Sequence, residues 1–257
     1  MTTPDADPSD YLHAHTLSEA VSPTRLVDTH SAYQHIQICE HPVYGHQLFL
    51  DGDLQISESD NAYNTAMTAP LIGMGDMQHV IILGGGDGGV LNELLKVTEQ
   101  ADNHLKKATL IDIDGTVIEL CREHLPRLCE DAFDHPRAEV IVGDAFAYLD
   151  QARNLDGVIY DLTMNPVREG QTRREFIAEI FDKVHRALRP GGVFTMQAAG
   201  KGEFDPEEER RNRALLEDIR PELARRFETI LEQDVFIPSF EMLWTFLSAR
   251  KGGNPST

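Results

Sequence analysis

The sequence predicts an α/β chain built on a mostly parallel sheet, and three observations carry that expectation. From about residue 62 onward, short apolar runs alternate with amphipathic helical patterns. The first of those runs leads into G84-G-G-D-G-G89, a glycine turn between a strand and a helix. Before residue 60 the pattern is different, with short strand-like runs and one hairpin signal. Alternating strands and helices at this spacing imply parallel strands covered on both faces, with ligands at their carboxyl ends.

The elements follow in order. H35-I-Q-I-C-E-H41 alternates loosely, and Q47-L-F-L-D-G-D-L-Q-I-S57 reads as two strands joined by Asp51-Gly52. An Asp-Gly pair between apolar runs signals a tight hairpin, because both positions tolerate positive φ. H79-V-I-I-L83 is a buried-strand run, with a helix through Val90–Val97. Strands follow at 108–112, 138–142, 157–161 and 192–197, with helices at 115–125, 145–153 and 173–188 between them. R189-P-G-G192 is the stop after the long helix. A charged helix at 206–226 and two late strands, 229–234 and 242–248, complete the chain.

These elements sum to a Rossmann-like (methyltransferase-type), mostly parallel seven-stranded sheet with a small N-terminal β-hairpin domain. The boundaries expected are a disordered tail at 1–10, a β-strand domain at 11–60, a catalytic domain at 61–250 and a disordered tail at 251–257. A length of 257 residues suits that plan.

Composition narrows the partners. The formal net charge is −20, a field that repels nucleic-acid phosphates and attracts cations. Solubility or a salt-adapted source explains the same charge as well as a cationic substrate does. No run of apolar residues is long enough for a membrane span, and the polar, acidic start is unlike a signal peptide. Cys39, Cys121 and Cys129 are odd in number and lack metal spacing, which implies reduced thiols and a cytoplasmic setting. The eleven histidines, His35, His41 and His46 among them, show no metal spacing either, so no metal is expected.

Four successive strands end in, or lead into, an acid: Asp87 in the glycine turn, Asp112, Asp144 and Asp161. An acid at the end of the second strand typically accepts hydrogen bonds from ribose hydroxyls. Asp144 stands where a carboxylate meets an adenine amino group. Helix capping alone also places aspartate at such positions. A nucleoside pocket follows, with NAD as one candidate. A pyrophosphate beside Asp87, however, costs about 4 kcal/mol at an effective dielectric near 20. A cationic tail fits, which points to a sulfonium nucleoside with an amine arm. S-adenosylmethionine fits less well, since its tail carries a carboxylate.

At this point the residues resemble the spermidine synthase, or polyamine aminopropyltransferase, family. The motifs are Y33-Q-H-I-Q, Y44-G-H-Q-L-F-L-D-G-D-L-Q-I-S-E-S-D60, G84-G-G-D-G-G-V-L-N-E-L-L95, V142-G-D-A-F146 and I237-P-S-F240. They cover about residues 30–250 in the family's order. The resemblance implies transfer of an aminopropyl group from decarboxylated S-adenosylmethionine to a small cationic di- or polyamine, by a homodimer or homotetramer. It implies that Gln34, Gln55 and Asp87 hold the donor, with Gly84 and Gly86 in the loop around it. Asp112 would bind ribose, Asp144 adenine, Tyr63 the amine, and Asp161 would act as catalytic base. Gln197 and Phe240 are further amine-site positions.

The chain departs from the family pattern in the amine half. Where the family reads D-x-x-D-P, residues 161–166 read D-L-T-M-N-P, with Met164 or Asn165 in place of the second acid and one residue inserted. Phe240 stands where a tyrosine is common, and D60-N-A-Y63 is one residue short. The acceptor is left open. The loop T163-M-N-P-V-R-E-G-Q-T172 reads as a lid over the substrates or as a surface connection, with Arg168 and Glu169 facing solvent or gating. Two other functions share the sheet and glycine loop: an S-adenosylmethionine-dependent amine N-methyltransferase, and a non-catalytic polyamine or nucleoside binder.

Overall fold

The computed structural model describes residues 23–100, 104–162, 170–201 and 206–253. The proposed lid residues 163–169, including Met164, Asn165 and Pro166, and the expected tail at 1–10 lie outside the described residues.

Four strands form an antiparallel N-terminal sheet in the order β1-β2-β3-β4: Thr24–His30, His35–His41, Gly45–Leu50 and Asp53–Ser57. Asp51 and Gly52 turn the β3–β4 hairpin with φ of 52° and 87°, the geometry that the Asp-Gly pair predicts. Helix α1 (Asn61–Ile72) then leads into the larger sheet.

The chain alternates through β5 (Met77–Gly84), α2 (Gly89–Gln100), β6 (Leu105–Asp112), α3 (Gly115–His124), a short α4 (Pro126–Cys129), β7 (Ala138–Val142), α5 (Ala145–Gln151) and β8 (Leu155–Asp161). It ends with α6 (Arg173–Ala187), β9 (Leu188–Lys201), α7 (Pro206–Ala224), β10 (Thr229–Ile237) and β11 (Met242–Arg250). The seven strands lie in the order β10-β11-β9-β8-β5-β6-β7. β9, β8, β5, β6 and β7 run parallel, while β11 and β10 are antiparallel additions at one edge. From β5 the chain builds outward to β6 and β7, then crosses to β8 on the other side. That reversal opens a crevice at the carboxyl ends of β5 and β8.

Alternation along β5 shows why the sheet is buried on both faces. Val80 and Ile82 join a core with Leu91, Leu110, Met67 and the N-terminal sheet's Ile36, Ile38 and Leu48. Ile81 and Leu83 face a second core with Phe176, Ile180, Leu215 and Ile219 of α6 and α7. Each fully buried aliphatic or aromatic side chain contributes about 1.5–3 kcal/mol. Thr195 donates to the Met67 carbonyl and Gln233 to that of Ala66, which seats α1 on the sheet.

Several expectations on boundaries need correction. β6 starts at Leu105, three residues early, and the last two strands run to Ile237 and Arg250 because they pair along their whole length. R189-P-G-G192 is part of β9, which bulges between pairings Leu155↔Leu188 and Gly157↔Val193. The expected tail does not begin at residue 251. The Lys251 amine donates to the His185 and Leu188 carbonyls at the end of α6, and its backbone pairs with Gly191 and Gly192. All three cysteines are buried and none is in a disulfide.

Candidate active site at the carboxyl edge of the sheet

Sheet register fixes the first part of the site. Gly84 pairs with Asp161 and Asp112 with Val142, so the ends of β8, β5, β6 and β7 stand side by side. Gly84 has φ +81°, and a Cβ there would lie 2.2 Å from the Asp161 carbonyl oxygen. A Cβ on Gly86 would meet Asp112 Oδ2 at 2.9 Å. Only glycine lets the turn pass between these two acids. Gly86 N–H then donates to Asp112 Oδ2 over 3.0 Å, and Asp114 N–H to Asp112 Oδ1 over 2.9 Å.

Asp87 sits at the tip of the turn. Its Oδ1 accepts the Gly89 N–H at 2.8 Å, at the start of α2. Asp161 ends β8, and its Oδ1 accepts the Tyr63 hydroxyl proton at 2.6 Å. The structure therefore brings Asp87, Asp112, Asp161 and Tyr63 into one corner. Burial first, and then the Asp87 charge, push the Asp161 carboxyl up to about 7, against the Tyr63 hydrogen bond, with Asp112 adding to the rise. Burial also raises Asp87, which the Gly89 N–H holds down in part and Asp112 raises again. Burial raises Asp112 against the N–H groups of Asp114 and Gly86. Tyr63 is driven well above its ordinary value by burial and then by Asp161. Among the described residues, none of the groups acting on these three carboxyls is basic. A cation entering the corner restores their ionised forms.

Other expected residues surround the corner. Gln34 donates to Asp114 Oδ2 at 2.9 Å, beside Ser31 at 2.6 Å, which ties the N-terminal sheet to the N-cap of α3. Asp144 caps α5 through Oδ1, which accepts from Phe146 and Ala147. Gln55 is exposed on β4, and its amide donates to the Asp53 carbonyl. Among the described residues it makes no hydrogen bond to the carboxyl cluster. Gln197 uses both ends of its amide on the protein. Its Nε2 donates to the Leu162 carbonyl and its Oε1 accepts the Trp244 indole N–H, each at 3.0 Å. Phe240 packs on Trp244 with ring centroids 5.0 Å apart, and the half-buried tryptophan links Phe240 to Gln197.

Sequence reasoning missed Asn64. It is buried, its Oδ1 lacks a partner among the described residues, and both its amide and Asp87 Oδ1 lie within 2.9 Å of where a Gly89 Cβ would be. A helical position one residue past Tyr63 was the available signal. Two apolar residues were missed as well. Ile113 and Val142 are 46% and 62% exposed, directly beside Asp112 and Asp144. Apolar groups left uncovered at strand ends suit the face of a flat base. Among the described residues, no helix is long and apolar enough to cross a membrane, and no group of His, Cys, Asp and Glu is disposed to hold a metal ion.

Comparison with known proteins bears on the whole arrangement. Residues 61–253 match the family model described as the spermine/spermidine synthase domain, and residues 24–58 match the spermidine synthase tetramerisation domain. The polyamine aminopropyltransferase of Aeropyrum pernix is 36% identical over 229 residues, covering 88% of this chain and 68% of that protein. That of Bacillus subtilis is 33% identical over 226 residues, covering 87% and 76%. The crystal structure of spermidine synthase from Thermotoga maritima superposes with a TM-score of 0.74 at 27% identity, over 90% of this chain and 74% of that one. A spermidine synthase in complex with the transition-state analogue AdoDATO gives 0.73 at 26% identity, over the same shares.

Proposed function

The chain belongs to the spermine/spermidine synthase family, and from that premise we propose how its own residues divide the reaction. The protein is an aminopropyltransferase whose co-substrate is decarboxylated S-adenosylmethionine. An amine nitrogen attacks the carbon beside the sulfonium. The C–N bond forms, the C–S bond breaks with its electron pair going to sulfur, methylthioadenosine leaves, and the new ammonium loses a proton.

The leaving group is neutral, so the obstacle is the nucleophile. A primary amine with pKa near 10.4 is mostly protonated at pH 7, a penalty of roughly 4.6 kcal/mol. Asp161 takes the amine proton, and its raised pKa brings it closer to that task than an ordinary aspartate. Tyr63 orients the carboxylate through its 2.6 Å bond and lines the amine site with Phe240. Asp87, flanked by Asn64, receives the cationic arm of the donor. Asp112 takes the ribose and Asp144 the adenine, with Ile113 and Val142 against the base and Gln34 closing the N-terminal side. Gln55 reaches the donor only from an exposed position on β4. Gln197 acts on the amine through Trp244 and Leu162 rather than by binding it.

The observation that carries this reading is three converging carboxyls with no basic partner among the described residues. An N-methyltransferase needs a cation for the methionine carboxylate at Asp87, and among the described residues none of the groups acting on Asp87 is basic. Assembly as a homodimer or homotetramer and a cytoplasmic setting belong to the same reading. The N-terminal match and the buried, unbridged thiols support them.

Incubation with decarboxylated S-adenosylmethionine and putrescine, agmatine, cadaverine, spermidine or spermine tests it. Methylthioadenosine is the expected product. S-adenosylhomocysteine formed from S-adenosylmethionine, or tight binding with no product, would contradict it.

A further inference from the structure

Phe240 belongs to the turn Pro238–Glu241 between β10 and β11, closed by Glu241 N–H donating to the Pro238 carbonyl. This turn is anchored to the N-terminal part of the chain at two points. Tyr44 donates from its hydroxyl to Glu241 Oε1 at 2.5 Å. Ser239 donates to Asp60 from its backbone N–H at 3.0 Å and from its hydroxyl at 2.5 Å.

Asp60 is fully buried. Its carboxyl oxygens accept five hydrogen bonds, from Ser57 N–H and hydroxyl, the Ser59 hydroxyl, and the two Ser239 groups. A carboxyl so occupied has no capacity left for a ligand. Its backbone carbonyl accepts the Tyr63 N–H at 2.8 Å, at the first turn of α1. Tyr63 bonds Asp161, the Leu162 carbonyl takes Gln197, Gln197 takes Trp244, and Trp244 packs on Phe240 beside Ser239. The contacts form a closed ring around the amine half, and Asp60 is the residue that joins its two ends.

We propose that Asp60 is a positioning residue for acceptor recognition, setting the separation of the Tyr63 and Phe240 walls by holding Ser239 against the first turn of α1. The proposal rests on the reading that those two aromatics line the amine site. A buried charged hydrogen bond resists stretching, so the wall separation is set by Asp60 and not by the breathing of two loops.

Kinetics on the full-length protein test this. Ser239→Ala raises the amine KM about tenfold and changes the ratio of kcat/KM between short and long acceptors, while methylthioadenosine affinity stays within about twofold. Ser239→Thr, which keeps the hydroxyl, returns both to the wild-type values. Asp60→Asn moves them the same way as Ser239→Ala and further. Should Ser239→Ala and Asp60→Asn lower only the denaturation midpoint, with amine KM and acceptor ratio unmoved, Asp60 is merely structural and the proposal fails. Tyr63→Phe and Phe240→Ala separate the two layers. If neither alters amine KM, the amine reading itself is wrong and the proposal falls with it. If both do and Ser239→Ala does not, only the proposal is lost.

Discussion

The two halves of the site are built by different means. Asp112 and the Val142–Asp144 segment are placed by the register of adjacent parallel strands, and Asp87 by the turn that leaves β5. The amine half is assembled from a helix, a long strand, a turn and the N-terminal sheet, held by single side-chain bonds. A strand end cannot shift without breaking a ladder, so the nucleoside half is hard to retune by one substitution. Part of the amine half rests on an irregular ladder, since β9 and β11 slip register between Thr245 and Phe246 opposite Gln197. It is also where the sequence departs from the family pattern. Under the proposed assignment, donor recognition is the rigid feature of this chain and acceptor choice the adjustable one.

The sharpest break between the halves is Asp161→Asn. Loss of the base should cut kcat by about 10³-fold with little effect on methylthioadenosine affinity. Rapid-quench turnover with calorimetric binding of the product separates the two. In the wild type, kcat/KM should climb as pH rises through about 7, where Asp161 ionises in the empty enzyme, and the asparagine variant should lose that limb.

The same substitution has an opposite effect on stability. A carboxyl raised from 3.8 to about 7 binds a proton in the folded state that the unfolded chain has already released. Its contribution to stability is present below pH 4 and is lost as pH climbs towards 7. Asp161→Asn should thus become progressively more stabilising to the empty protein over that window, by at most about 4 kcal/mol above pH 7. Urea denaturation of both forms at pH 4.5 and 7.5 checks this. A constant difference would mean that the Asp161 carboxyl is not raised in the folded protein.

The smallest effect is expected where function and scaffold overlap. Asp144→Ala removes both the proposed adenine partner and the cap of α5. Donor affinity should fall about fivefold and stability by about 1 kcal/mol. Asp144→Ser restores the cap alone. Recovery of stability without affinity would confirm that the two roles are separable.

Legibility in the sequence follows the same division. Apolar periodicity and the Asp51-Gly52 turn disclosed the strands and helices, and acids at strand ends disclosed Asp112 and Asp161, because these signals are local. Strand ends were harder, since pairing extended β6, β10 and β11 past their apolar runs. Asn64, Asp60 and the contacts of Gln197 were hidden, because each meets residues far away in the chain. The distance from Asp60 to Ser239 is 179 positions, and no spacing rule spans it. The glycines were legible as crowding, but the crowding comes from the protein's own Asp112 and Asp161 as well as from any ligand.

The central claim is that buried carboxyls without basic partners among the described residues select a cationic nucleoside arm. Calorimetric binding of decarboxylated S-adenosylmethionine and of methylthioadenosine to the wild type and to Asp87→Asn tests it directly. The predicted result is a donor affinity lowered about 10- to 100-fold by the substitution, with methylthioadenosine, which has no amine, changed by less than about threefold. Equal losses for both ligands, or none for either, would contradict the account.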